Sequence, residues 1–338
     1  VTVLVADRSL SVRAVIRRLL EEAPGIEVVA DTDDGREVVR LAAEKTPAAI
    51  VLDLDLPSLG GRALVTRISS RARIPIFVLT PQRSKENTRT AMSLHNVGVV
   101  AVFPKPEAPS EWIALGRTLR EAVQLVGSAS RESTGGSPEP DDTPVIRRDL
   151  RYVAIGASTG GPGAVYELLA ALGRRARVGV AVVQHIAPGF EGALADWLST
   201  ELGMDVAIAK HGERLSTGKV RIAPAGSHMS IDRQGGIHLD QITAPVGGHR
   251  PAVDVLFRSL LDLPAGRVAA VLLSGMGSDG AEAMAELRNT NVLTVAQDEA
   301  SCAVFGMPRA AIDRRAVSFA LAPPQIGRLL ARAGGAKR

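Results

Sequence analysis

Residues 156–160 read Gly-Ala-Ser-Thr-Gly, a G-x-S-x-G between the apolar run 151–155 and a helical pattern beginning near 162. A serine on a sharp strand-to-helix turn presents its hydroxyl at a sheet edge, and the flanking glycines relieve crowding around it. That hydroxyl is a weak nucleophile until a base takes its proton and a third group orients the base. Of the six histidines, His185 is the best placed, because it ends the apolar run 178–184 that follows the helix after Ser158. His95 lies in the first half of the chain, His211 and His238 in hairpin material, and His228 and His249 in loops. For the third group, "VAAVLLSGMGSDGAEAM" reads as strand, glycine-rich turn and helix, with Asp279 at the helix start. A Ser, a His and an Asp at the strand ends of one sheet favour a triad, which is recognised by roles and not by chain order.

Each residue also has a plainer reading. Ser158 could cap a helix or touch a phosphate at a helix N-terminus. His185 could be a satisfied strand-end histidine, and Ser278 and Asp279 could cap the helix that follows them. A phosphate or dinucleotide loop is the weaker alternative, since GASTGGPG is not G-x-G-x-x-G and no P-loop sequence occurs. The order Ser-His-Asp differs from the Ser-Asp-His of the α/β-hydrolases, which argues against that fold.

The elements that must position these groups fall into two α/β blocks. In the first, Val- and Ile-rich runs at 1–6, 26–30, 48–54, 74–80 and 97–103 lack period-two alternation, as strands covered on both faces do. Helical patterns near 10–22, 35–45, 60–70, 84–95 and 110–125 alternate with them, which predicts a flavodoxin-like five-stranded parallel sheet. Residues 127–144 have almost no apolar side chain and read as a linker. The second block has strand patterns at 151–155, 178–184, 219–223, 268–273 and 292–296. Helical patterns near 162–172, 190–202, 252–262, 279–290 and 323–333 and hairpin material around 205–240 complete a doubly wound α/β domain. The division is then 1–122, a linker at 123–147, and 148–338.

Composition narrows the function classes. The chain has 338 residues, 46% hydrophobic and 22% charged, which is ordinary globular material for two cores. The net charge of +4 is small and interspersed, and aromatics are 3%, so neither a basic patch nor stacking platforms point to nucleic acid. The single cysteine, Cys302, permits neither an internal disulfide nor a CxxC zinc pattern. No apolar run approaches the roughly 20 residues of a membrane span, and no signal-peptide pattern opens the chain, so a cytoplasmic protein is expected.

A second group of residues could handle a phosphoryl group. Asp7, Asp53, Thr80 and Lys105 follow the first, third, fourth and fifth strands, at the rim where ligands of such sheets sit. With "VLVADRS", "IVLDLDLP", "VLT" and "VFPKP" in place, the first 120 or so residues resemble a response-regulator receiver domain. The resemblance implies that Asp53 is the phosphoacceptor, Thr80 the switch hydroxyl and Lys105 the phosphate-pairing lysine. It also implies Mg²⁺ for phosphorylation, held through Asp7 and Asp53. The family has two adjacent acids after the first strand; aligned on Ser9 and Arg13, this chain has Asp7 followed by Arg8. An arginine there removes a carboxylate ligand, repels Mg²⁺ and could pair with Asp53, leaving Asp7 and Asp55 as remaining ligands. A competing alignment makes Asp7 the second acid and Ala6 the lost first one. Gly60-Gly61 also replaces the usual Asp-Gly.

The second block resembles the catalytic domain of chemotaxis protein-glutamate methylesterases, the CheB family, through "IGASTGGP", "VVQH", "HRPAVDVLF", "SGMGSDGA" and "AQDEAS…VFGMP". That resemblance covers nearly all of 150–335, and receiver, linker and catalytic domain in this order are the family's architecture. It implies Ser158 as nucleophile, His185 as base and Asp279 as its orienter. It places Met276 and the Thr159 amide at the oxyanion site and requires no metal for hydrolysis. The implied reaction is hydrolysis of glutamate γ-methyl esters on methyl-accepting chemoreceptors, with glutamine deamidation by the same chemistry. A chemotaxis histidine kinase is the implied phosphate donor, and the unphosphorylated receiver is expected to cover the catalytic rim. Ala187 and Glu191 stand where Pro and Thr are expected. The alternatives are a second domain that binds or signals without catalysis and a transcriptional regulator; a small basic recognition helix, which the latter needs, is absent from the pattern.

Overall fold

A computed structural model describes residues 1–71, 74–81, 85–129, 143, 144, 146 and 148–334. The chain divides into two compact units, Val1–Thr134 and Gly135–Arg338.

The first unit alternates β1 (Thr2–Ala6), α1 (Leu10–Glu21), β2 (Glu27–Thr32), α2 (Gly35–Lys45), β3 (Ala49–Asp53), α3 (Gly61–Ser69), β4 (Ile76–Thr80), α4 (Lys85–Ser93), β5 (Val99–Pro104) and α5 (Pro109–Ala129). All pairings are parallel, in the order β2-β1-β3-β4-β5. β3 and β4 are buried along their whole length, which is why their sequences are apolar up to the terminal Asp53 and Thr80. Local signals set the helix starts. The Ser9 side chain accepts from the Val12 amide, and Asp34 accepts from the amides of Arg36 and Glu37. The linker expected from residue 123 begins later. α5 continues through Ala129 because Val123 and Val126 are still buried, and the polar stretch 130–142 lies outside the described residues.

The second unit runs β6 (Tyr152–Ala157), α6 (Gly161–Leu172), β7 (Gly179–Gln184), α7 (Phe190–Leu202), β8 (Asp205–Ile208), β9 (Lys219–Ile222), β10 (His228–Ile231), β11 (Ile237–Asp240), α8 (Val253–Ser259), β12 (Val268–Leu272), α9 (Ala281–Asn289), β13 (Leu293–Gln297), α10 (Met307–Asp313), β14 (Phe319–Leu321) and α11 (Pro323–Ala333). Seven strands form one parallel sheet in the order β14-β13-β12-β6-β7-β9-β8. β7, β12 and β13 are wholly buried. The expected hairpin region splits in two: β8 and β9 join the large sheet in parallel, and only β10 and β11 form an antiparallel pair. The short elements α10 and β14 have no counterpart in the sequence reading, since neither is long enough to show a period. Asn291 takes the left-handed conformation after α9, with φ of 61°.

Candidate active site

The strand order locates the site. β6 is the first strand of its sheet in sequence and lies near the middle; the chain leaves it toward β7 on one side and returns to β12 on the other. The crevice at the carboxyl ends of β6 and β12 is therefore the switch point where ligands of open parallel sheets bind. Ser158 directly follows β6, His185 directly follows β7, and Asp279 lies in the turn between β12 and α9. Backbone hydrogen bonds extend the ladder past the strand ends. The Ser158 amide donates to Ser274 O (3.0 Å), and the His185 amide donates to Ala157 O (2.8 Å).

Two glycines make the turn feasible. Gly160 has φ of 78°, a left-handed conformation that a side chain would strain. A Cβ on Gly275 would sit 2.7 Å from the Ser158 Cβ and 2.3 Å from Met307 Sδ, so the β12 loop reaches the serine only because that position is glycine.

His185 Nε2 lies 2.9 Å from Asp279 Oδ2, with Asp279 nearly buried. Both ring nitrogens are buried, and neither makes a geometrically complete hydrogen bond among the described residues. With Nε2 turned to Asp279, Nδ1 is the nitrogen left to receive a proton. Asp279 does not cap its own helix. α9 is preceded by Gly280, and the carboxylate instead accepts from the amides of Val253 (2.7 Å) and Asp254 (3.0 Å) at the start of α8. Burial pushes the Asp279 carboxyl up, but His185 and these two amides outweigh it and hold the group below its ordinary range. An ionised carboxylate, fixed by two backbone donors and facing an imidazole, has the geometry to orient that imidazole as a base. Thr159 and Met276 also come together, with Thr159 Oγ1 3.6 Å from Met276 Sδ.

Three supporting side chains went unassigned in the sequence. Gln184, 3% exposed, donates from Nε2 to Ser158 O (2.7 Å) and to His185 O (3.0 Å), so one amide ties the loops of Ser158 and His185 together. Ser274 Oγ donates to Thr159 O (2.8 Å) and accepts from the Val304 amide (3.0 Å), and Gln297 Oε1 receives the Ser274 amide (2.8 Å). Polar side chains at the ends of three apolar strands were the available signal. His249, ranked low as a loop residue, stacks on His185 with centroids 3.9 Å apart and planes 5° from parallel. Burial, and then the proximity of His185, lower its pKa against the opposing pull of Asp279. Glu191, at the start of α7, accepts from the Gly189 amide (2.7 Å) and shapes the loop that follows His185.

In the first unit, Asp7, Asp53, Thr80 and Lys105 meet as the strand ends require. Lys105 Nζ is 2.7 Å from Asp7 Oδ2 and 2.5 Å from Asp53 Oδ2, and the Asp53 Oδ1 accepts from the Asp55 amide (3.0 Å). Both carboxylates are buried, as is the Thr80 hydroxyl, which has no hydrogen-bond partner among the described residues. Arg8 is exposed, and the charge paired with Asp53 is that of Lys105. These residues fit a divalent ion poorly. Two carboxylates share one ammonium, and no cluster of three His, Cys, Asp or Glu side chains suited to a metal occurs among the described residues.

Comparison with known proteins identifies the family of each unit. Residues 153–330 match the CheB methylesterase family and residues 3–115 the response regulator receiver domain. The chain is 36% identical over 345 residues to a protein-glutamate methylesterase/protein-glutamine glutaminase of Hahella chejuensis, covering 97% of each. It is 34% identical to the correspondingly named protein of Symbiobacterium thermophilum, covering 99% of this chain and 97% of that one. The solved CheB methylesterase catalytic domain of Thermotoga maritima superposes with a TM-score of 0.52 at 31% identity, over 54% of this chain and 97% of that one. With a matched catalytic domain behind a matched receiver, and relatives alike along nearly the whole chain, the protein belongs to the CheB methylesterase family.

Proposed function

We propose that the chain hydrolyses γ-methyl esters of glutamate side chains on chemoreceptors, and deamidates receptor glutamine by the same acyl chemistry, under control of its receiver domain. The relatives named above carry both activities in their names. The observation that carries the mechanism is the His185–Asp279 contact beside the Ser158 turn. Ser158 Oγ attacks the ester carbonyl while His185 takes its proton. The tetrahedral oxyanion faces Thr159 and Met276, and collapse expels methanol carrying the proton from His185. Water, deprotonated by His185, then cleaves the acyl-serine and leaves a glutamate carboxylate and free Ser158. Asp53 is the proposed phosphoacceptor of the receiver, with Thr80 and Lys105 reading its state, and a histidine kinase is the donor.

Methanol release from methylated receptor fragments tests the reading. Ser158→Ala should lower it by about 10⁶-fold, the scale on which serine hydrolases lose activity with their nucleophile. Substantial turnover by Ser158→Ala overturns the mechanism.

A further inference from the structure

The segment between β11 and α8 leads into the site, and its construction is unusual for a surface loop. Its backbone is tied at nearly every step. The Asp240 carboxylate accepts from the amides of Ile242 (2.7 Å) and Thr243 (3.1 Å). The Arg250 guanidinium donates to Gln241 O and Thr243 O (3.0 Å each), and His228 Nε2 lies 3.1 Å from Ala244 O. Val246 and His249 exchange both backbone hydrogen bonds (3.0 Å) across Gly247 and Gly248, whose φ values of 58° and 85° close a two-residue hairpin turn.

This ordered backbone serves no packing of its own side chains. Residues 241–245 are all exposed, and Ile242 is 95% exposed. A single exposed isoleucine needs no explanation in itself. Here, however, the carbonyls on either side of it are both held by Arg250, the residue next to His249, and His249 stacks on His185. The apolar tip and the catalytic base are thus joined by a short, fully hydrogen-bonded piece of chain. Residues 241–248 also contain no charged side chain, in a chain where 22% of residues are charged.

We infer that the loop 241–248 is a docking arm for the substrate protein, with Ile242 seated against an uncharged, apolar patch of the receptor beside the glutamyl ester. This rests on the proposed methylesterase reading and names the surface through which that substrate is held. An arm joined through Arg250 and His249 to His185 can hold the residues flanking the ester while the ester reaches Ser158. Preorganisation by hydrogen bonds means that little loop entropy is lost on binding.

The test compares two substrates of the full chain: methylated receptor fragments, followed by methanol release, and p-nitrophenyl acetate, a small ester too short to reach the arm. Ile242→Asp should lower kcat/KM on the receptor by about tenfold or more, chiefly through KM, as expected when a buried isoleucine contact is replaced by a desolvated charge. Turnover of the small ester should stay within twofold, and Ile242→Leu should restore the receptor value. An unchanged kcat/KM on the receptor, or an equal loss on both substrates, overturns the docking arm while leaving the esterase reading in place. A wild-type chain that cleaves the small ester but no receptor ester overturns both.

Discussion

Asp279→Asn separates the two tasks of this carboxylate. One oxygen accepts from the Asp254 amide (3.0 Å), while the other accepts from the Val253 amide (2.7 Å) and faces His185 Nε2 at 2.9 Å. An asparagine has only one acceptor oxygen to place. With its NH₂ toward Asp254, that buried amide loses its partner. With its NH₂ toward Val253, a different amide is orphaned and a donor is turned on the imidazole. Either rotamer leaves one buried N–H unsatisfied, costing about 1–3 kcal/mol. For a domain of this size that lowers Tm by about 2–4 °C per kcal/mol. The catalytic loss is larger, because the negative charge that stabilises the imidazolium is gone and the oxygen facing Nε2 is either uncharged or replaced by a donor. A fall in kcat of about 10⁴-fold is expected, equivalent to about 5.5 kcal/mol. The residual rate should exceed that of Ser158→Ala by about 10²-fold, since Asp279 orients and does not attack. Methanol release and calorimetry on the same preparations measure both effects. A variant within tenfold of wild type would refute the assignment of Asp279 as orienter, and an unchanged Tm would refute its role as the anchor of α8.

Two further outcomes concern the receiver. Arg8→Asp replaces the cation that follows Asp7 in sequence by a carboxylate, and two opposite unit charges 4 Å apart attract by about 1 kcal/mol even in water. Mg²⁺ affinity should tighten by about tenfold or more, and Mg²⁺-dependent labelling with acetyl phosphate or phosphoramidate, weak in the wild type, should rise with it. A wild-type Mg²⁺ affinity equal to that of the variant would instead favour the alignment in which Asp7 is the second acid. His95, buried with Nδ1 2.8 Å from Val99 O, has its pKa pushed by burial from 6.5 down to about 4. The unfolded chain takes up that proton below 6.5 and the folded one only near 4, so the contribution is full above pH 6.5. It falls by about 3 kcal/mol as the pH drops to 4, at about 1.4 kcal/mol per unit. His95→Gln should flatten that pH dependence in the unfolding of the first unit within the full chain; an unflattened profile would place the titrating group elsewhere.

The chain's own pattern determined more of this protein than is usual. Largely apolar runs such as 48–54, 151–155 and 178–184 announce strands covered on both faces, and they place Asp53, Ser158 and His185 at strand ends without knowledge of the fold. The G-x-S-x-G turn works locally, because its left-handed Gly160 is a property of the backbone at that residue. Other features were settled only by tertiary structure, because they depend on which strands become neighbours. The order β12-β6-β7 sets Asp279 against His185, and nothing local distinguishes a carboxylate that caps its own helix from one that caps α8, 25 residues upstream. The tie that Gln184 makes between two loops, the close approach of Gly275 to Ser158, and the stacking of His249 on His185 are likewise contacts between segments far apart in sequence. A residue's type shows what it can donate, accept or stack upon; the partner is chosen when the sheet closes around its switch point.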